Sequence, residues 1–555
     1  MPGANDHVSD AAKLFVRCLE NEGVTVVFGL PGEENVHLTQ ALERSSIRYV
    51  LTRHEQAASF MAEMWGRVTG SAGVVSSTLG PGAINLQLGV ADAMTNSTPI
   101  VALSAQVGHD RNFKESHQFV DLVSLFAPIT KWSASVPNSA AIPEMVRKAF
   151  KTAETERPGA VYLAVPEDVE DAAADADLRP LPRNVPQPEA PAPHQIQRAV
   201  ELIRQAEHPI VLAGHGAARG NASEALISFA ESLGVPVATT FHGKGVFPDD
   251  HPRSVGTIGF MSRDYANFGF EKSDLIICVG YELQEFDPVR VNPEGDKRIV
   301  HVHRFPAEVD AHYSVDVGVI ADLSASLNAL REALGDFQCP ISERSRSSVL
   351  LDEELEHGRQ DDSYPLTPQR IVADTRAALG RDDIALVDTG AVKMWMARLY
   401  PTYSPNTCLI SNGLSTMGFA LPGALAVSLA RPDAKVLAVV GDGAWLMHSQ
   451  EIETATREGI PLTVLIWEDN GYGLIEWKMQ MELGEHSNTA FGNPDVVKYA
   501  ESFGASGYQI TSADELLPTL RTALDSPGVS IINCPVDYRE NLRLIGRLGQ
   551  LDAAL

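Results

Sequence analysis

Short runs of β-branched and other apolar residues alternate along this chain with longer stretches of amphipathic, helix-like spacing. That alternation confines the chain to α/β architectures built on parallel strands. A parallel strand is covered by helices on both faces, so it reads as a continuous apolar run. Thr25-Val26-Val27-Phe28, Gly73-Val74-Val75-Ser76-Ser77 and Pro99-Ile100-Val101-Ala102-Leu103 are such runs near the N-terminus. Ala434 to Val440 and Pro461 to Trp467 are their counterparts near the C-terminus, with a helical pattern from about Leu446 to Arg457 between them.

Two breaks interrupt the alternation. From about Asp171 to Pro193 the prolines 180, 182, 186, 188, 191 and 193 stiffen an extended connector that cannot lie inside a helix or a central strand. From about Cys339 to Pro368, Ser, Arg, Glu and Asp dominate, and Pro365 and Pro368 precede the next helical pattern. At 555 residues the chain is too long for one core. The breaks predict three doubly wound parallel-sheet domains, over residues 1–175, 193–338 and 366–545. No short-period repeat is present.

The charge balance, 44 basic against 72 acidic residues for a net −28, argues against nucleic acid or an anionic membrane surface as a partner. Cys18, Cys278, Cys339, Cys408 and Cys534 are odd in number and carry no CxxC spacing, so neither a disulfide framework nor a zinc cage is indicated. The first residues, Met1 to Asp6, lack the basic and apolar regions of a signal peptide, and no apolar stretch approaches the length of a membrane span. The expectation is a cytoplasmic enzyme acting on a small molecule.

Chemistry concentrates at two distant places. Gly441-Asp442-Gly443 directly follows the strand-like run Val436 to Val440, and Asp469 follows the next run, so one crossover returns both carboxylates to the same carboxyl edge of a sheet. Hard oxygen donors there suit a magnesium ion carrying a diphosphate. The glycines let backbone approach a phosphate, and the N–H groups of Gly443 and Ala444 would start a helix facing it. Read separately, Gly-Asp-Gly and Asn470-Gly471 are ordinary turns; jointly they read as a site for metal and diphosphate. At the other place, Leu51-Thr52-Arg53-His54-Glu55-Gln56 puts an acid just after a strand-like run. An isolated glutamate there would be a first-turn helix residue favoured by the dipole.

The element from Gly441 to Asn470 resembles the metal motif of thiamine diphosphate-dependent enzymes. Across the chain the closest resemblance is to acetolactate synthase, particularly the catabolic type without flavin. It rests on Phe28-Gly29-Leu30-Pro31-Gly32, Thr78-Leu79-Gly80-Pro81-Gly82, His117-Gln118 with Thr130-Lys131, Val279-Gly280-Tyr281 and Asp469-Asn470-Gly471-Tyr472. The resemblance implies pyrimidine-binding, central and diphosphate-binding domains in that order, with thiamine diphosphate and Mg2+ as cofactors. It makes Asp442, Asp469 and the carbonyl of Gly471 the metal ligands, with Asn470 the alternative if the register slips by one, and sets Gly441, Gly443 and Ala444 against the diphosphate. Glu55 matches the acid that acts on the aminopyrimidine ring, Met417 the apolar wedge between the coenzyme rings, and Ser415 a carbonyl contact to the pyrimidine amino group. Gly80 and Asn85 line the same site, and Gln118 matches a pocket glutamine.

The implied reaction is decarboxylation of pyruvate and carboligation to a second 2-oxo acid, forming 2-acetolactate. A 2-oxo acid decarboxylase or another carboligase is the alternative within the class. Outside it stands a flavin- or nicotinamide-dependent oxidoreductase using Gly214-His215-Gly216 of the middle segment. Gly280-Tyr281-Glu282 stands where flavin-binding relatives carry an arginine, so no FAD is expected. The coenzyme of this class spans two subunits, which makes a homodimer the minimum active unit. Glu33-Glu34, Lys393 and Lys478 depart from the pattern: Lys393 stands where relatives contact the diphosphate, and Lys478 either is a solvated helix charge, pairs with Glu33 or Glu34, or binds an acidic substrate.

Overall fold

The computed structural model describes residues 9–184, 187–259, 264–339 and 346–554, and the side chains of 549–554 are not part of that description. The leader reading of Met1 to Asp6, and Pro186 of the connector, lie outside the described residues. The chain divides into two compact units, one of residues 1–186, 422–431 and 448–460 and the other of the remainder.

The first unit is built on a six-stranded parallel sheet. Its strands are β1 (Val26–Gly29), β2 (Arg48–Leu51), β3 (Gly73–Ser77), β4 (Ile100–Gln106), β5 (Trp132–Ser135) and β6 (Ala160–Pro166), in the order β2-β1-β3-β4-β6-β5. The chain winds outward in opposite directions from the gap between β1 and β3, and such a reversal leaves a ligand crevice at the carboxyl ends of the strands. β3, β4 and β6 are buried along their whole length, as the continuous apolar runs require.

The second unit carries two sheets of the same kind. One holds β7 (Pro209–Ala213), β8 (Val237–Thr239), β9 (Ser254–Thr257), β10 (Leu275–Val279), β11 (Arg298–His303) and β12 (Val317–Ile320), ordered β12-β11-β10-β7-β8-β9. The other holds β13 (Ile384–Val387), β14 (Cys408–Ile410), β15 (Val436–Gly441), β16 (Leu462–Glu468), β17 (Ser506–Gln509) and β18 (Val529–Pro535), ordered β14-β13-β15-β16-β18-β17. Its reversal falls between β13 and β15. Three doubly wound α/β sheets are thus present, and the strand runs read from sequence sit within two residues of the observed ends except at β4, which continues three residues past Leu103 to Gln106.

Two expectations need correction. The helical pattern from Leu446 to Arg457 is two helices, Asp442–His448 and Glu451–Glu458, interrupted at Ser449-Gln450. The first belongs mainly to the second unit and the other to the first, so the interruption lets the chain change partners. The polar stretch after Cys339 is not all connector, because the helix Arg346–Arg359 occupies much of it. Its polar sequence disguised a buried face: Glu354 is held by Arg398 Nη2 at 2.7 Å, and Arg398 also bonds Asp264 at 2.9 Å.

Candidate active site

In the first unit, β2 ends at Leu51 and the chain turns into the helix Glu55–Thr69. His54 caps that helix, its Nδ1 accepting the N–H of Gln56 at 3.1 Å. Glu55 is therefore a first-turn residue, but a buried one, and its Oε2 accepts a hydrogen bond from Asn85 Nδ2 at 3.0 Å. Asn85 belongs to the helix Pro81–Thr95, which leaves β3 through Gly80 at φ +51°.

Glycine is needed twice in this turn. A Cβ on Gly82 would lie 3.2 Å from Glu55 Oε1, and one on Gly80 would lie 2.7 Å from the carbonyl oxygen of Gln118. Glu55, Gly80, Asn85 and Gln118 are thereby gathered along one turn beside the sheet's reversal point. The segment before Glu55 is held by Glu451, whose carboxylate accepts the N–H of Arg53 at 3.1 Å and the hydroxyl of Thr454 at 2.6 Å. Burial pushes the Glu451 carboxyl up to about 7.

In the second unit, Asp442 and Asp469 follow β15 and β16, which are adjacent and parallel. Asp442 is 2% exposed, and its Oδ2 accepts from the N–H of Asn470 at 2.8 Å and from Asn493 Nδ2 at 2.7 Å. Its Oδ1 takes the N–H of Gly443 at 2.9 Å, so that donor is engaged within its own turn. Burial, and then the negative charge of Asp442, push the Asp469 carboxyl up to about 8. Two facing acids in a partly dry place call for a proton or a cation between them.

The donor chemistry fits Mg2+: Asp442 and Asp469 offer two hard carboxylates at adjacent strand ends, and Gly471 lies two residues past Asp469. Among the described residues no group of three or more His, Cys, Asp and Glu side chains that could hold a metal is assembled. Room for a phosphate is also present, because a Cβ added to Gly441 would meet nothing within 4 Å. Gly443, by contrast, is glycine for packing, since its Cβ would lie 2.9 Å from the Tyr472 ring. Ala444 is buried in the first turn of the helix.

Ser415 and Met417 lie in the turn between β14 and the helix Ala420–Ala430, Met417 half-buried and Ser415 at φ +55°. Asp388, just past β13, holds this turn: its Oδ1 accepts the N–H of Gly418 at 2.8 Å and its Oδ2 that of Ala420 at 2.9 Å. Lys393 donates to Ser415 Oγ at 3.0 Å. Lys478 is exposed and pairs with Glu482 at 2.8 Å, the solvated helix charge among its alternatives, while Glu34 accepts from Thr78 Oγ1 at 2.9 Å. Gly214-His215-Gly216 follows β7, where Gly216 packs so closely that a Cβ would lie 2.8 Å from Gly280 Cα.

Comparison with known proteins decides the family. Three thiamine pyrophosphate enzyme models match in order: the N-terminal TPP binding domain over residues 9–125, the central domain over 196–330 and the C-terminal TPP binding domain over 388–534. A probable acetolactate synthase large subunit of Methanocaldococcus jannaschii is 35% identical, covering 97% of this chain and 94% of its own. An acetolactate synthase of Bacillus subtilis is 35% identical over 96% and 94%, and a catabolic acetolactate synthase of Raoultella terrigena 36% over 97% of both. The chain belongs to the acetolactate synthase family of thiamine pyrophosphate enzymes.

Within that family frame, sequence reasoning passed over Asp388, Glu451 and Asn493. Asp388 carries the signal that found Asp442 and Asp469, an acid directly after an apolar run. Glu451 and Asn493 carry none. Each acts across the fold on a backbone or side-chain group that no spacing rule connects to it.

Proposed function

We propose that the protein uses thiamine diphosphate and Mg2+ to decarboxylate pyruvate and join the remaining two-carbon unit to a second 2-oxo acid, forming 2-acetolactate. The observation that carries this reading is the pair Asp442 and Asp469, one buried and one half-buried acid at adjacent strand ends beside the open backbone of Gly441. Near-full-length similarity to proteins named acetolactate synthase supports it.

When bound, thiamine diphosphate supplies the nucleophilic carbon and the electron sink that loss of a carboxylate requires. Asp442, Asp469 and the Gly471 carbonyl would hold the metal, and the backbone of Gly441, Gly443 and Ala444 would line the diphosphate. The Ser415 carbonyl and the Met417 side chain would hold the rings. Glu55 keeps a buried acid on its Asn85 contact and is the group assigned to proton transfer at the aminopyrimidine. Gly80 and Asn85 line that end, and Gln118 is assigned to the substrate.

A homodimer is the proposed minimum unit, with Glu55 of one chain and the metal site of the other serving one cofactor. Exposed Ile84 and Leu88 on the helix of Asn85, and exposed Leu446 and Met447 after Asp442, offer apolar surface for such an assembly. A cytoplasmic setting is supported by five free, buried cysteines. No described helix is long and apolar enough to cross a membrane.

Product analysis tests the reading. Incubated with pyruvate, Mg2+ and thiamine diphosphate, the protein is expected to release carbon dioxide and 2-acetolactate. Acetaldehyde as the sole product would make it a decarboxylase, and no cofactor-dependent turnover would remove the proposal.

A further inference from the structure

Ser415 occupies a backbone conformation that its side chain does not favour. At φ +55° it lies in the left-handed region, where a residue with a Cβ persists only when its surroundings hold it there. The surroundings are specific. Lys393, on the helix Ala391–Leu399, is 5% exposed, and its ammonium donates to Ser415 Oγ at 3.0 Å and to the Ser411 carbonyl at 3.4 Å. Both ends of the turn are thus tied by one amine, and its far side is tied by the Asp388 bonds to Gly418 and Ala420.

Lys393 and Ser415 also line a cavity of about 200 Å³ together with Asn412, Arg290 and Phe286, so the tie sits on the wall of a space open to a small ligand. The residues fixed by this tie are Ser415, whose carbonyl is assigned to the pyrimidine, and Met417, assigned to the ring wedge. A turn that relaxed out of the left-handed region would rotate the Ser415 carbonyl away from any ligand it faced.

We propose that Lys393 is a positioning residue that latches Ser415 in its left-handed conformation and so presents the Ser415 carbonyl and Met417 to the cofactor in one fixed geometry, rather than binding the diphosphate itself. The inference rests on the thiamine diphosphate reading. It accounts for a lysine at a position where the sequence pattern suggested a phosphate contact.

A double-mutant cycle tests it, with the dissociation constant of thiamine diphosphate in saturating Mg2+ read from intrinsic tryptophan fluorescence of the full chain. Melting curves check that each variant is folded. Lys393→Met is expected to weaken binding by roughly ten- to hundredfold, the loss of one hydrogen bond from a charged group. Glycine adopts positive φ without steric penalty, so in a Ser415→Gly background the same substitution is expected to cost only about threefold or less. Lys393→Gln, which keeps a donor for Ser415 but carries no charge, adds a second arm: binding within about threefold of wild type is expected, whereas a loss as large as that of Lys393→Met would mean that the charge, not the hydrogen bond to Ser415, is what matters.

Equal losses in both backgrounds would overturn the proposal, because a lysine acting directly on phosphate charge is indifferent to the backbone of residue 415. An unchanged constant for Lys393→Met would overturn it too. A wild-type chain that binds no thiamine diphosphate removes the cofactor reading and this inference with it, while tight wild-type binding with an additive cycle removes the inference alone.

Discussion

Glu55 owes its place to two neighbours of opposite character: Asn85, which donates to its Oε2, and Gly82, whose missing Cβ leaves room beside its Oε1. Glu55→Gln keeps the size and an acceptor for Asn85 but removes the acid. Turnover of pyruvate is expected to fall roughly 10²- to 10⁴-fold, the range for loss of a positioned acid or base. Cofactor affinity should stay near wild type, and initial rates at saturating thiamine diphosphate check both. Undiminished turnover would take proton transfer away from Glu55.

Asp442 and Asp469 were legible in the sequence because an acid directly after an apolar strand must emerge at the sheet's carboxyl edge. Asn493 was not, since its bond to Asp442 crosses from a polar loop with no periodicity. Lys393 was noticed as a departure, but its hydrogen bond to Ser415 depends on a backbone conformation that residue types do not announce.

At the scale of elements, the apolar runs made the strands readable, because a parallel strand buried on both faces leaves little choice of residue. Helices were less legible where polar residues are buried in pairs. The helix Arg346–Arg359 hid in a charged stretch since Glu354 is neutralised by Arg398, a contact invisible along the chain. Arg398→Met would leave Asp264 buried without its cation and Glu354 with only Arg547 at 3.4 Å, and a loss of about 3–5 kcal/mol in urea unfolding is expected. A loss under about 1 kcal/mol would mean the pair is solvated after all.

The helix Glu451–Glu458 gives a pH signature. The folded Glu451 carboxyl titrates at about 7 against an ordinary 4.5, so the folded state holds its proton more tightly than the unfolded one. Its stabilisation is complete below about 4.5 and is lost as pH rises through 7. The melting temperature of the wild type should therefore decline between pH 5 and 8, and Glu451→Gln should decline less steeply. Parallel curves for the two proteins would contradict this assignment.

For the whole molecule, three doubly wound sheets followed from the alternation of runs and from two breaks in it, although the second break conceals a helix. The order of sheets also places chemistry. In the last sheet Asp388 and Asp442 follow β13 and β15, the two strands flanking the reversal, and in the first sheet Gly80 follows β3 on one side of its reversal. What no single chain's sequence can spell out is which copies complete one site. We propose that Glu55 of one protomer and Asp442 of its partner grip a single cofactor.

Subunit mixing shows whether the two residues serve one site. Glu55→Gln and Asp442→Asn chains, each nearly inactive alone, are unfolded together, refolded and assayed for 2-acetolactate. A mixed dimer then carries one site with both defects and one with neither, so activity well above either parent is expected. A mixture no more active than its parents, with mixed dimers demonstrated to have formed, would contradict the claim.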